Sequence, residues 1–120
     1  MATESGTNND DIIDKTNSAI VWIILAGAGN DIITGGNLND ILQGGAGDDT
    51  IDGGSGIDLL DFSDASAGIV FTLRQGSNNG GFWSSGFLGN LGTDAYRNME
   101  GVIGTNFADT LTGSSLNDVL

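Results

Sequence analysis

Aliphatic residues recur every nine positions through the middle of the chain. From residue 26 the sequence divides into four consecutive nonapeptides, AGAGNDIIT, GGNLNDILQ, GGAGDDTID and GGSGIDLLD. The eighth place is aliphatic in every copy, and the sixth is always Asp. The aliphatic residues are Ile33, Leu42, Ile51 and Leu60, and the acidic ones are Asp31, Asp40, Asp49 and Asp58. A fixed period of this kind indicates a repeat architecture.

Each nonapeptide divides into a glycine-rich turn of six residues and a strand of three. Strand side chains alternate, so the eighth residue faces one side and the seventh and ninth face the other. A unit of nine residues cannot bury its aliphatic side chain alone, but stacked units bury a continuous column. Helix is disfavoured because of the cost of glycine. We therefore predict an all-β fold, a parallel β-solenoid.

Degenerate copies flank this block. Asp11 takes the sixth place in residues 6–14, whereas Trp22 takes it in residues 17–25, after an insertion of two residues. Asp109 and Asp118 restore the pattern near the end of the sequence. The predicted divisions are degenerate repeats at 1–25, the regular block at 26–61, an aromatic-rich segment without repeats at 62–100, and the start of a second degenerate block at 101–120.

The charge is strongly acidic, with 16 Asp and Glu against three Lys and Arg. Glu4 and Glu100 are the only glutamates in the sequence. The sequence holds no His and no Cys, which excludes a catalytic triad, a thiol nucleophile, a His/Cys zinc site and disulfides. The acidity disfavours nucleic acid as a partner. Residues 1–6 are polar and the longest apolar run has eight residues, so we expect no signal peptide and no membrane insertion.

The pattern GGxGxD followed by an aliphatic residue resembles the RTX, or haemolysin-type, calcium-binding nonapeptide of secreted bacterial proteins. The stretch NMEGVIGTNFADTL at residues 98–111 resembles the bridge that introduces a fresh repeat block in such proteins. The resemblance implies a right-handed parallel β-roll, in which turns on the same side recur every 18 residues. Asp31 and Asp49 would then face one Ca²⁺, and Asp40 and Asp58 would face another.

Calcium suits this composition because it is a hard cation that takes six or more oxygen ligands, whereas Mg²⁺ prefers a small octahedron that keeps several waters. Turns without Cβ atoms let backbone carbonyls converge. The resemblance places the carbonyl ligands around the turn glycines Gly27, Gly29, Gly36, Gly45, Gly47, Gly54 and Gly56. Leu38 replaces the fourth-place glycine in the second repeat, so we expect that turn to be altered.

Three further aspartates are weaker candidates, for which a metal-free turn is at least as good an interpretation. Asp11 lies 20 residues before Asp31 instead of 18, and Asp109 and Asp118 lie only nine apart. Trp22 stands where an aspartate would lie on the same side of the roll as Asp40, so we expect no full site there. Five others are interpreted as turn or surface residues, namely Asp48, Asp52, Asp61, Asp64 and Asp94.

The segment 62–100 carries six of the eight aromatic residues. We predict that it caps the solenoid or covers the outward side chains of Ile41 and Leu59. A sugar-binding platform of Phe82 and Trp83 is the alternative.

Together these features predict a non-enzymatic calcium-binding module that folds when Ca²⁺ binds. The resemblance implies a larger protein that leaves a Gram-negative bacterium by type I secretion, with flanking domains and an extracellular or cell-surface location. The alternatives are a structural or adhesive module that binds glycans or surfaces, and an accessory domain of a secreted enzyme.

Overall fold

The computed structural model describes residues 1–65, 70–72 and 95–112, and every regular element in them is a β-strand. The strands are β1 (Ala2–Ser5), β2 (Ile12–Asp14), β3 (Trp22–Leu25), β4 (Ile32–Thr34), β5 (Ile41–Gln43), β6 (Thr50–Asp52), β7 (Leu59–Asp61), β8 (Val70–Thr72), β9 (Ala95–Arg97), β10 (Gly101–Ile103) and β11 (Thr110–Thr112). In this part of the chain no helix is long and apolar enough to cross a membrane.

Successive strands from β1 to β7 alternate between two parallel sheets. One sheet has the order β1-β3-β5-β7-β10 and the other has the order β2-β4-β6-β9, while β8 and β11 pair separately. All of these pairings are parallel. The glycine-rich turns carry the chain from one sheet to the other. The predicted all-β fold and parallel β-roll are confirmed.

The eighth-place residues form the core between the sheets. Ile33 pairs in register with Ile51, and Leu42 pairs with Leu60. All four are at most 1% exposed. The adjacent Ile32 is 48% exposed, because neighbouring strand residues face opposite sides. A slip of one residue would turn the whole column to solvent, so the aliphatic period determines the register.

Two strands of the last part of the roll were not predicted. Tyr96 in β9 pairs with Ile51, and Val102 in β10 pairs with Leu60, so both extend the core column. Each is 3% exposed. The ring of Tyr96 packs edge-to-face against Phe62, with 6.0 Å between ring centroids. Strands β9 and β10 therefore extend the two sheets of the roll.

Most of the predicted cap or cover lies outside the described residues, and so do Phe82 and Trp83 of the alternative sugar platform. Ile41 and Leu59 are half-buried. Together with Met1, Val21 and Ile57 they line a shallow apolar depression on the outer face of the first sheet.

An ion pair lies at the end of the core, beside strands β1 and β3. Glu4 pairs with Ile24 in the sheet and so occupies a core-column position. Its carboxylate accepts a hydrogen bond from Lys15 Nζ at 2.5 Å, and this ammonium group also lies 4.1 Å from the centroid of the Trp22 ring. Lys15 belongs to the two-residue insertion. The insertion thus supplies a charged partner where the aliphatic column ends.

Candidate metal centre

The four sixth-place aspartates are buried, each with at most 2% exposure. Carboxylates are rarely buried to this extent without a partner. Each one ends a turn immediately before a strand that is held at both edges by its neighbours, so its side chain is directed into the stack of turns. The residues concerned are Asp31, Asp40, Asp49 and Asp58.

These aspartates form two ladders, one along each side of the roll. Asp49 Oδ1 accepts a hydrogen bond from the backbone N–H of Asp31 at 2.9 Å. Asp58 Oδ1 accepts one from the N–H of Asp40 at 2.8 Å. The structure therefore brings together the same two pairs, 18 residues apart, that the resemblance assigned to each ion.

In Asp31 and Asp58 the second carboxylate oxygen, Oδ2, is buried and has no hydrogen-bond partner. Burial raises the pKa of Asp58 to about 8, and the carboxylates of Asp40, Glu100 and Asp52 act in the same direction. Burial also raises the pKa of Asp31. A buried carboxylate oxygen without a partner is costly, and a cation would satisfy it.

Close stacking of the turns explains the need for glycine. Gly45 and Gly54 both have left-handed backbone, with φ of 86° and 83°. A Cβ on Gly45 would lie closer than 3.0 Å to the carbonyl oxygen of Gly27. A Cβ on Gly54 would also lie closer than 3.0 Å to the carbonyl oxygen of Gly36. Carbonyl oxygens of one turn therefore lie against the backbone of the next, as a site built from carbonyls requires.

The turn of the second repeat differs from the others, as Leu38 predicted. Of the seven candidate glycines, all but Gly36 have positive φ. In this turn Asp40 Oδ2 accepts a hydrogen bond from Gly36 N at 2.9 Å. We call such a turn closed, because the backbone of the turn already occupies this oxygen. The turns of Asp31 and Asp58 are open in this sense.

The weaker candidates lie in closed turns where they are described. Asp11 Oδ2 accepts a hydrogen bond from Thr7 N at 2.6 Å, and Asp109 Oδ2 accepts one from Thr105 N at 2.8 Å. The 20-residue separation does not disturb the ladder, because the N–H of Asp11 donates to Asp31 Oδ1 at 2.8 Å. Asp118 lies outside the described residues.

Trp22 takes the sixth place on the side of Asp40. Its N–H donates to Asp40 Oδ1 at 2.8 Å, which continues the ladder without adding a carboxylate.

Sequence reasoning missed the role of two asparagines in the turns. Asn30 Oδ1 accepts a hydrogen bond from the N–H of Asp48 at 2.9 Å, and Asn39 Oδ1 accepts one from Ile57 N at 2.8 Å. Fifth-place asparagines therefore link the turns as well, a role that their nine-residue spacing could have indicated.

Sequence reasoning also missed Glu100. Its Oε2 accepts a hydrogen bond from the N–H of Asp58 at 2.9 Å, so it continues the ladder of Asp40 and Asp58. Its only sequence signal is its position directly before a strand. Burial raises the pKa of Glu100.

Side chains alone do not form a metal site in the described part of the chain. No group of three or more Asp or Glu side chains there is placed so that it could hold a metal ion together. A cation in these turns must therefore take most of its ligands from backbone carbonyls, which agrees with the glycine-dependent stacking.

Comparison with known proteins gives one match. A family model described as the RTX calcium-binding nonapeptide repeat matches residues 25–60 and 103–120, in four copies. Neither the curated proteins nor the solved structures contain a match to this chain.

Proposed function

We propose that this chain is a module that folds on calcium binding, without catalytic activity, within a larger secreted bacterial protein, because residues 25–60 and 103–120 match the RTX calcium-binding repeat. The observation that carries the proposal is the buried, unpartnered oxygen of Asp31 and of Asp58 in glycine-dependent turns. The turns enclose both oxygens, and a cation is the partner that suits them chemically.

We assign one Ca²⁺ to the pair Asp31 and Asp49, and another to the pair Asp40 and Asp58. The ladder hydrogen bonds hold each pair together through Oδ1. Carbonyls of the stacked turns would complete each coordination shell. When bound, Ca²⁺ supplies positive charge that offsets the repulsion between the buried carboxylates.

The calcium-free chain has little to hold the repeat block together. Its formal net charge is -13, and 21 of its residues are glycine, which loses more backbone entropy on folding than other residues. An ion that binds only the folded state stabilises it by about 2.7 kcal/mol per site at a concentration 100 times Kd. We therefore propose that binding and folding of the block are one event.

This coupling suits export. Extracellular calcium modules have Kd values of about 10⁻⁴ to 10⁻³ M, so they are empty where calcium is scarce and filled outside the cell. An acidic chain without disulfides would leave the cytosol unfolded through a type I system and would fold outside. Flanking domains would supply the activity of the parent protein.

The test is a calcium titration followed by far-ultraviolet circular dichroism, with matched titrations of Mg²⁺. We expect a cooperative gain of β-sheet signal with Ca²⁺, and a much smaller response at equal Mg²⁺. The same spectrum in EGTA and in millimolar calcium would overturn the proposal.

A further inference from the structure

The ladder that contains Asp58 continues beyond the regular repeats. The N–H of Asp58 donates to Glu100 Oε2 at 2.9 Å, in the same way that the N–H of Asp40 donates to Asp58 Oδ1. The backbone agrees, since Gly101 pairs with Leu59 in the sheet. Glu100 thus stands directly before β10 as Asp58 stands before β7. It is the structural counterpart of a sixth-place aspartate, although it lies between the two stretches that match the repeat family.

The turn that carries Glu100 is much shorter than the repeat turns. Only residues 98–100 separate β9 from β10. Asn98 adopts left-handed backbone with φ of 55°. Its side chain donates a hydrogen bond from Nδ2 to Asp52 Oδ1 at 2.8 Å, and Arg97 Nε bonds the other oxygen of Asp52 at 2.8 Å. Asp52 therefore anchors this turn, and its charge is balanced by Arg97.

The unpartnered oxygen of Asp58 lies near Gly53, where the short turn packs against the turn of residues 53–58. A Cβ placed on Gly53 would lie 2.7 Å from Asp58 Oδ2 and 2.8 Å from Met99 Sδ, and would also contact the carbonyl oxygen of Asn98. Two oxygens from different turns thus converge beside Gly53. Asp58 is fully buried, and this oxygen accepts no hydrogen bond.

A polar cavity adjoins this part of the stack. Its volume is about 370 Å³, and it opens between the turn of residues 53–58 and the short turn, with Gly54, Ser55, Asn98 and Glu100 in its wall. The turn of residues 53–58 is open, whereas the turn of Asp40 below it is closed by its own backbone. Asp58 Oδ2 therefore remains able to bind a ligand, whereas the corresponding oxygen of Asp40 already accepts a hydrogen bond.

We propose that Asp58, Glu100 and the Asn98 carbonyl bind a further Ca²⁺ between the last regular turn and the turn of residues 98–100. The ion would couple the regular block to the strands β9 and β10. The inference rests on the proposed function, because it extends the calcium ladder by one step.

The experiment counts bound ions by equilibrium dialysis with radioactive calcium and follows folding by circular dichroism, on the full chain. Glu100→Gln keeps an oxygen for the N–H of Asp58 and removes the charge. The matched control is Glu4→Gln, the same change at the other glutamate, at the opposite end of the roll. We expect Glu100→Gln to bind one ion fewer than the wild type in saturating calcium, with the β-sheet signal retained, and Glu4→Gln to bind the wild-type number.

Glu100→Asp, which shortens the side chain but keeps the carboxylate, should bind the same number of ions as the wild type, with the last one weakened about tenfold. An unchanged ion count in Glu100→Gln overturns the inference while leaving the proposed function intact. Loss of the β-sheet signal in Glu100→Gln at saturating calcium also overturns it, since Glu100 would then be a structural residue. A wild-type chain that binds no calcium defeats the proposed function itself.

Discussion

Asp58 Oδ1 accepts a hydrogen bond from the backbone N–H of Asp40, 18 residues earlier, at 2.8 Å. The bond joins two stacked turns whose carboxylates carry like charge. It uses one oxygen of the buried carboxylate and leaves the other without a partner. The polypeptide therefore positions the carboxylates, and a proton or a cation must offset their charge. The predictions below follow from this arrangement.

Charge at the sixth place should determine calcium affinity. In Asp49→Asn the side chain keeps an oxygen for the N–H of Asp31, and only the charge is lost. We expect the calcium midpoint of the circular dichroism titration to rise about tenfold or more. The control is Asp48→Asn, which makes the same change in net charge at the adjacent, exposed residue. Equal midpoints for the two variants would show that only total charge matters.

Opening the closed turn should strengthen calcium binding. Leu38 is 39% exposed, so its removal costs little packing. Leu38→Gly restores the fourth-place glycine and lets the turn adopt the positive φ seen in the other repeats. We expect tighter binding by calorimetry at the site of Asp40 and Asp58. Leu38→Ala removes the same side chain without the backbone freedom and should not show the gain; a gain in both variants would assign the effect to the side chain.

Core and surface positions of one strand should differ sharply. Ile33 is 1% exposed and its neighbour Ile32 is 48% exposed. In saturating calcium, Ile33→Ala should lower the free energy of unfolding by about 2–5 kcal/mol. Ile32→Ala should lower it by about 1 kcal/mol or less. Urea unfolding measures both, and similar losses would contradict the assignment of the eighth place to the core.

Stability without calcium should fall as the pH rises. Burial, followed by the neighbouring carboxylates, raises the pKa of Asp58 from 3.8 to about 8 in the folded chain. The folded state therefore binds a proton more tightly than the unfolded state. Its contribution to stability is complete below about pH 4 and is lost as the pH passes through about 8. The raised pKa values of Asp31 and Glu100 act in the same direction.

The measurement is circular dichroism across this range in buffer freed of calcium with a chelating resin. We expect β-sheet signal to decrease with rising pH, and to decrease less steeply in Asp58→Asn. In saturating calcium the loss should disappear, because the ion binds the deprotonated carboxylate. A calcium-free signal that grows with pH would contradict the assignment of Asp58 as a buried acid.

The sequence by itself determined the repeating part of the roll. Each nonapeptide carries its own turn glycines, its Asp and its aliphatic residue, so the spacing alone assigns Ile33 and Leu42 to the core. The resemblance of the repeat to the RTX nonapeptide implied the pairing of Asp31 with Asp49, and the hydrogen bond between them agrees with it. These features are local and repeated, and therefore follow from a single period.

Only the tertiary structure decided how the irregular parts join this frame. Strand β9 pairs with β6 across 45 residues, and this pairing brings Arg97 to Asp52. No period in the sequence indicates that Glu100 continues the ladder of Asp58. Backbone conformation likewise decided which turns are open and which are closed. A sixth-place Asp has its Oδ2 hydrogen-bonded only where an N–H of its own turn can reach that oxygen. Long-range strand pairing and turn geometry carry this information, because both depend on contacts between segments that are distant in the sequence.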